Sequence, residues 1–487
     1  MAVNTWTGAT NTDFGTAGNW NTTGVTDRVP TNADDVIIAN VSNDPVLDTT
    51  YTINSLVIQS GGNLDGDNQE LTIDGENAAG YAVQNAGIIT GTDTDITITT
   101  AAATDISLSG SSGSFRNVTI NHASCVAKID LAATISGNLT ITAGTFDTNA
   151  VAARPLTVAG ATSIGDGSAA ADTATLTCHA SPISLGSGYS TTWGLQIERG
   201  GTFVGGSGAH TFGSFKLGAA HADVKCTLTS GVTTIDDEKT GDNYTIYLQD
   251  STFDDANGTV TITHNGDARF QLGGEPLHNV IINHADCSMQ MSSDAVINGD
   301  LTITAGEFKG SYGGTHYDLT VGSLTIASGA TYNATSGTTT IKNETSDYAF
   351  KNDGTFTHNK GEVFIDGNTD DVANTEIQSD DFYDLRMDAQ TTNHEVKWSD
   401  KSGNALTIYN NLTITQGSFE GKDAGDTLTI HGLTNIGATG KFGADANQTG
   451  QITHHGLVTN LGTYFINDTT TVKMNGGFRQ LNALTIS

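Results

Sequence analysis

The chain has 487 residues, of which 58 are Gly and only 5 Pro, and its 53 acidic against 20 basic side chains give a formal net charge of −33. That charge argues against nucleic acid and anionic membrane surfaces as partners, and no apolar run reaches the ~18 residues needed to insert into a bilayer. Abundant Gly, Thr, Asn, Asp and Ser join turn chemistry to β-formers, and runs of helix formers at a 3.6 period are missing, so an all-β chain with very little helix is expected.

In chain order, residues 1–60 read differently from everything after them. They hold two of the four tryptophans, Trp6 and Trp20, and two of the five prolines, Pro30 and Pro45. Large aromatics at the end of a repeat protein suit a cap that shields the first repeat and blocks edge pairing, so 1–60 is read as a capping and attachment module. Trp6 and Trp20 are its candidate interaction residues. The Met1 end shows no charged segment followed by an apolar run, so no signal peptide is expected.

From residue 61 to 487 the text repeats. "NVTINHASC" at 117–125 returns as "NVIINHADC" at 279–287, an interval of 162 residues. "LTITAGTF" from Leu139 returns as "LTITAGEF" from Leu301 at the same interval, and "LTITQGSF" follows from Leu412. Leu and Ile alternate with Thr, the period of a strand buried on one face, and a Gly-containing turn follows. A second module places an aromatic, four residues, Gly, three residues, then Ile or Phe. It occurs as Phe203/Gly208/Phe212, Phe253/Gly258/Ile262, Tyr332/Gly337/Ile341 and Phe356/Gly361/Ile365, with a degenerate copy from Tyr464 in which Thr469 replaces Gly. A third module, "FRNVTINHA" at 115, reappears as "LHNVIINHA" at 277 and "FYDLRMDAQ" at 382.

Short β-segments with Gly and Asn turns and few prolines predict a parallel β-solenoid (β-helix), each turn burying its inward residues against the turns above and below. The predicted inward set is Val118, Ile120, Leu139, Ile141, Val280, Ile282, Leu301 and Ile303. Turns of roughly 20 residues rising about 4.8 Å each predict a rod on the order of 100 Å long. An antiparallel arrangement is the alternative, because "TFTHNKGEVFID" at 355–366 could form a hairpin.

The opening order W-x-G, N-W, V-P and D-D-V-x-I is carried by Trp6, Gly8, Asn19, Trp20, Val29, Pro30, Asp34, Asp35, Val36 and Ile38. Followed by LTI and G-x-F repeats, it resembles the N-terminal module of β-helical repeat proteins among bacteriophage virion structural proteins and large secreted bacterial surface proteins. The resemblance implies a non-enzymatic structural or adhesive role: a capsid decoration protein, fibre or spike located in the virion. Its implied partners are other virion proteins, further copies of itself in a homo-oligomer such as a trimer, and a host-surface glycan. A secreted adhesin at the cell surface and a polysaccharide-degrading tailspike are the alternatives. Secreted relatives carry a signal peptide, so its absence favours the virion.

Candidate chemistry is sparse. His122 with Cys125, His284 with Cys287, and adjacent Cys178 and His179 could suggest zinc, but four converging ligands require the two distant pairs to lie side by side. Turn histidines beside buried thiols are expected instead, and Cys226 is read the same way, since the four cysteines lack C-x-x-C spacing. The acidic pairs Asp236/Asp237, Asp254/Asp255, Asp370/Asp371 and Asp380/Asp381 could serve glycoside hydrolysis only across a groove, since sequence neighbours on a strand face opposite sides. Asp65, Asp67, Asn68, Glu70 and Asp74 in "LDGDNQELTIDGEN" are oxygen-rich but lack EF-hand spacing. No catalytic, cofactor-binding or metal residue is assigned. At the other end, "GGFRQLNALTIS" reads as the start of the third module, and apolar Leu484 and Ile486 are expected to be covered by another copy or a virion partner.

Overall fold

The computed structural model describes residues 1–90, 93–168, 173–188, 191–218, 221–249, 251–342, 348–367, 375–389, 394–399, 406–422, 425–444, 450–465 and 470–481. Leu484, Ile486, Asp370, Asp371 and Thr469 lie outside them. The fold is a parallel β-solenoid of about 17 turns, with Trp-containing strands at its N-terminal end. Helix is confined, among the described residues, to one 3-10 turn at Ala17–Asn19. Two compact units divide the chain, Met1–Gly258 and Thr259–Ser487.

In the first unit each turn contributes short strands to three parallel sheets. Along one sheet, Ile53, Ile73, Ile98, Ile120, Ile141, Ile164, Ile197 and Leu217 stack in register, one per turn. All eight are fully buried. Burying each such side chain stabilises the fold by roughly 1.5–3 kcal/mol before the entropy of ordering the chain is subtracted. On another sheet Val36, Leu56, Val83 and Ile106 stack in the same way, and on the third Val158, Leu185, Phe212 and Ile235 do so.

The second unit repeats the plan. Val321, Ile341, Ile365, Met387, Ile414 and Ile436 form one column. Phe308, Tyr332 and Phe356 form another, their rings stacked 6.0 and 5.8 Å apart. All eight predicted inward residues are fully buried, four in each unit, while the intervening Thr119, Thr140 and Thr302 face outward, half-buried. The 162-residue echo is therefore one two-turn block written once in each unit. Val118–Ile120 lies on Leu139–Ile141 in the first, and Val280–Ile282 on Leu301–Ile303 in the second.

The antiparallel alternative is excluded, and two expectations are corrected. The segment 355–366 is not a hairpin: Thr355–Thr357 pairs in parallel with Thr331–Asn333, and Glu362–Asp366 with Thr338–Ile341 and Asp384–Asp388. Its Gly361 turn passes the chain from one sheet to the next, so both strands find partners one turn away. Turn length is also less uniform than about 20 residues: Ile120 to Ile141 takes 21, but Ile164 to Ile197 takes 33. Finally, Phe478 occupies the position that Leu385 holds four turns earlier, reached through Leu412, Thr434 and its own partner Val458. "FRQ" at 478–480 is thus a strand of that sheet, whereas Phe382 sits on the short strand Asp381–Phe382 of a separate sheet, because backbone pairing rather than the look of the text sets register.

Candidate functional site

The cap absorbs the residues of its sequence signature. Trp6 and Trp20 are buried, 4.9 Å apart edge to face, with Phe14 4.8 Å from Trp20 and 4.5 Å from Tyr51. Both indole N–H groups donate to backbone carbonyls, Trp6 to Asn43 and Trp20 to Phe14. Asn19 accepts from the backbone N–H groups of Thr10 and Asn11 and donates to the carbonyl of Asp13. Gly8, at φ +58°, passes so close to Asn43 that a Cβ would lie 2.5 Å from its carbonyl oxygen. Arg28 grips the buried carboxylate of Asp34 with both terminal nitrogens, and Asp35 accepts from Asn54 and Ser55 one turn on.

The twice-written phrase runs along the strands Val118–Ile129 and Asn279–Met291, where its His-to-Cys portion bulges out of register. His122 Nδ1 accepts the backbone N–H of Ser124 at 3.2 Å, and His284 Nδ1 accepts that of Asp286 at 3.2 Å. His221 and His358 do the same with Asp223 and Lys360, so imidazole here acts as Asn or Asp does in an Asx turn. Gly144 and Gly306 of the next turn, at φ +93° and +82°, cross over this bulge, where a Cβ would come 2.4 Å from the histidine's carbonyl oxygen. All four cysteines are free and buried. Burial pushes the thiols of Cys125 and Cys287 up to about 11, and those of Cys178 and Cys226 higher. His179 beside Cys178 meets Asp147 instead, at 3.0 Å.

Asn and Asp of the third module form corner ladders. Asp95 accepts the backbone N–H of Asn117, Asn117 that of Asn138, and Asn138 that of Ala161, each one turn on. In the second unit Asn279 serves Asp300, Asp384 serves Asn411, and Asn411 serves Leu433. Among the described acidic pairs, Asp254 and Asp255 accept the backbone N–H groups of Ala256 and Asn257, while Asp236 accepts from the Ser187 hydroxyl. Asp381 is set apart by burial, which raises its pKa above the usual carboxylate range. In "LDGDNQELTIDGEN", Asp65 accepts the N–H of Asp67, Asn68 accepts from Arg116, and Asp74 accepts from Thr99. Among the described residues no group of three or more His, Cys, Asp and Glu converges as a metal requires.

A concave site does form in the first unit, at residues that sequence reasoning did not single out. The turns lengthen there, to 33 residues between Ile164 and Ile197 and 31 between Phe215 and Ile246. The cleft, of about 390 Å³, is lined by Trp193, Lys216, Gly218, Asp242, Tyr244, Tyr247 and Gln249. Trp193 precedes the strand Leu195–Ile197, and Lys216 lies on the neighbouring strand Phe215–Leu217. A tight loop, closed by the Lys239 N–H donating to the Tyr244 carbonyl, delivers Asp242 and opens the strand Tyr244–Tyr247. On that strand Thr245 and Ile246 are both buried, so alternation breaks and Tyr244 and Tyr247 are both left half-buried at the surface.

The two tyrosine rings meet edge to face at 4.9 Å, and Tyr247 lies 6.1 Å from Trp193. Gln249 donates to the Tyr247 hydroxyl at 3.1 Å. Lys216 Nζ stands 6.0 Å over the Trp193 ring and 3.5 Å from Glu198, while Lys239 lies 3.3 Å from Asp242. Aromatic faces with a rim of amide, hydroxyl and paired charges can hold a small polar molecule that also has an apolar face. The one signal in the text was the pair of tyrosines spaced by three around Thr245 and Ile246, against the period of two. Compared with known protein families, curated proteins and solved structures, the chain matches none of them.

Proposed function

We propose that this protein is a non-enzymatic structural component of a bacteriophage virion: a β-solenoid decoration protein, fibre or spike that works as a homo-oligomer with other virion proteins. The observation that carries the reading is how the repeated polar residues are used. Histidines of the twice-written phrase, asparagines of the corners and the paired aspartates at 254 and 255 accept backbone N–H groups and so brace the coil, a use that leaves them committed to structure. The Trp-bearing cap motif, whose likeness to virion and bacterial surface solenoids is drawn from its sequence order, adds support. A secreted adhesin is the competing reading, since the same fold and cleft suit it.

The deciding experiment is localisation. An antibody raised against the chain, used in immunogold microscopy, should label purified phage particles from cultures of the encoding organism. Label on particle-free cells or medium, with none on particles, would overturn the virion reading in favour of the adhesin.

A further inference from the structure

We propose that the cleft formed by Trp193, Tyr244 and Tyr247 binds a neutral saccharide. Three observations select that ligand class. The first is the lining: three aromatic side chains, Trp193 from one turn and Tyr244 and Tyr247 from a single strand two turns on, converge on a cavity of about 390 Å³, within the range of small-molecule sites. Ring faces of this kind pack against the C–H faces of a pyranose, where dispersion and burial of apolar surface favour contact.

The second observation is the state of the charges. Lys216 is matched by Glu198 at 3.5 Å, and Lys239 by Asp242 at 3.3 Å. An anionic ligand would have to compete with Glu198 for Lys216. A cationic ligand seeking the Trp193 face finds the Lys216 ammonium already 6.0 Å above it. Compensated walls therefore favour a ligand without net charge, and the Tyr247 hydroxyl, the Gln249 amide and the paired side chains supply donors and acceptors for sugar hydroxyls. The third observation is architectural: compared with the 21-residue turn between Ile120 and Ile141, the chain adds about ten residues to each of the two turns that bring Trp193 and Tyr244 to the cleft.

This inference goes beyond the structural role proposed above and does not depend on where the solenoid is mounted. It is tested on the full chain with an array of neutral gluco-, galacto-, manno- and N-acetylhexosamine oligosaccharides, with sialylated oligosaccharides and choline as charged probes. Trp193 is the tryptophan that lines the cleft, so a ligand-dependent change in fluorescence, absent from a Trp193→Phe variant, reports occupancy. At least one neutral oligosaccharide should bind saturably, perturb that fluorescence and keep its affinity as salt is raised. Tyr244→Ala should weaken binding about tenfold or more, and Gln249→Ala, which removes the donor to the Tyr247 hydroxyl, should weaken it with the circular dichroism spectrum unchanged. The proposal falls if no neutral member binds, if a sialylated glycan or choline is preferred, or if both variants bind like the parent.

Discussion

Two histidines on inward positions make the core sensitive to acid. His210 lies between Phe203 and Phe212, each 5.8 Å away, and burial pushes its pKa down to about 4 despite an opposing contribution from the Gly205 backbone. His454 is fully buried between the Thr434 and Tyr464 hydroxyls, 2.9 Å from each, and burial also lowers its pKa to about 4. Both folded values lie below the ~6.5 of an unfolded histidine. The unfolded chain therefore takes up these protons first, so stability is intact above pH 6.5 and declines as pH falls towards 4, by roughly 3 kcal/mol per histidine at the acid end. This window lies above that of Asp34, whose burial is more than offset by hydrogen bonds from Arg28 and Thr31 that hold it below the usual carboxylate range. We expect the thermal midpoint to drop between pH 7 and 4.5, and His210→Phe to reduce the drop while leaving stability at pH 7 nearly unchanged. An equal acid loss in the variant would contradict the assignment.

At the scale of the strand and corner, the asparagine ladders explain why N-V-T-I, N-L-T-I and D-L-R-M recur. Each side-chain oxygen accepts the backbone N–H that starts the equivalent strand one turn on, where the sheet ladder itself offers nothing. Asn138→Ala should leave the Ala161 N–H without its acceptor, cost about 1 kcal/mol locally and speed exchange of that amide about fivefold. Asn138→Asp keeps the oxygen and should keep the protection. Hydrogen–deuterium exchange resolved to residues 155–165 distinguishes the two, and unchanged exchange in the alanine variant would show that the ladder contributes nothing. The sequence displayed these asparagines but not their use, because the acceptor and its N–H are more than 20 residues apart.

For the molecule as a whole, each turn is buried only by its neighbours, so stability accumulates turn by turn and not around one centre. Two compact units, each with its own aliphatic columns, follow from that. Heat denaturation should then depart from two-state behaviour, with a van't Hoff enthalpy well below the calorimetric one. A single transition with equal enthalpies would mean that the units unfold as one cooperative block.

The all-β class, the coiling and the inward residues were legible in the amino-acid order alone, because alternation of Leu and Ile with Thr and the placement of Gly are local signals that need no partner strand. Which strand pairs with which was not, as the hairpin reading at 355–366 and the register of Phe478 show. Parallel pairing joins residues 19 to 33 positions apart, and only the stacked turns set that distance. The cleft belongs wholly to this second class. Trp193, Lys216 and Tyr244 draw no notice where they stand in the text, and they become one site because two lengthened turns, with one of ordinary length between them, lay them side by side.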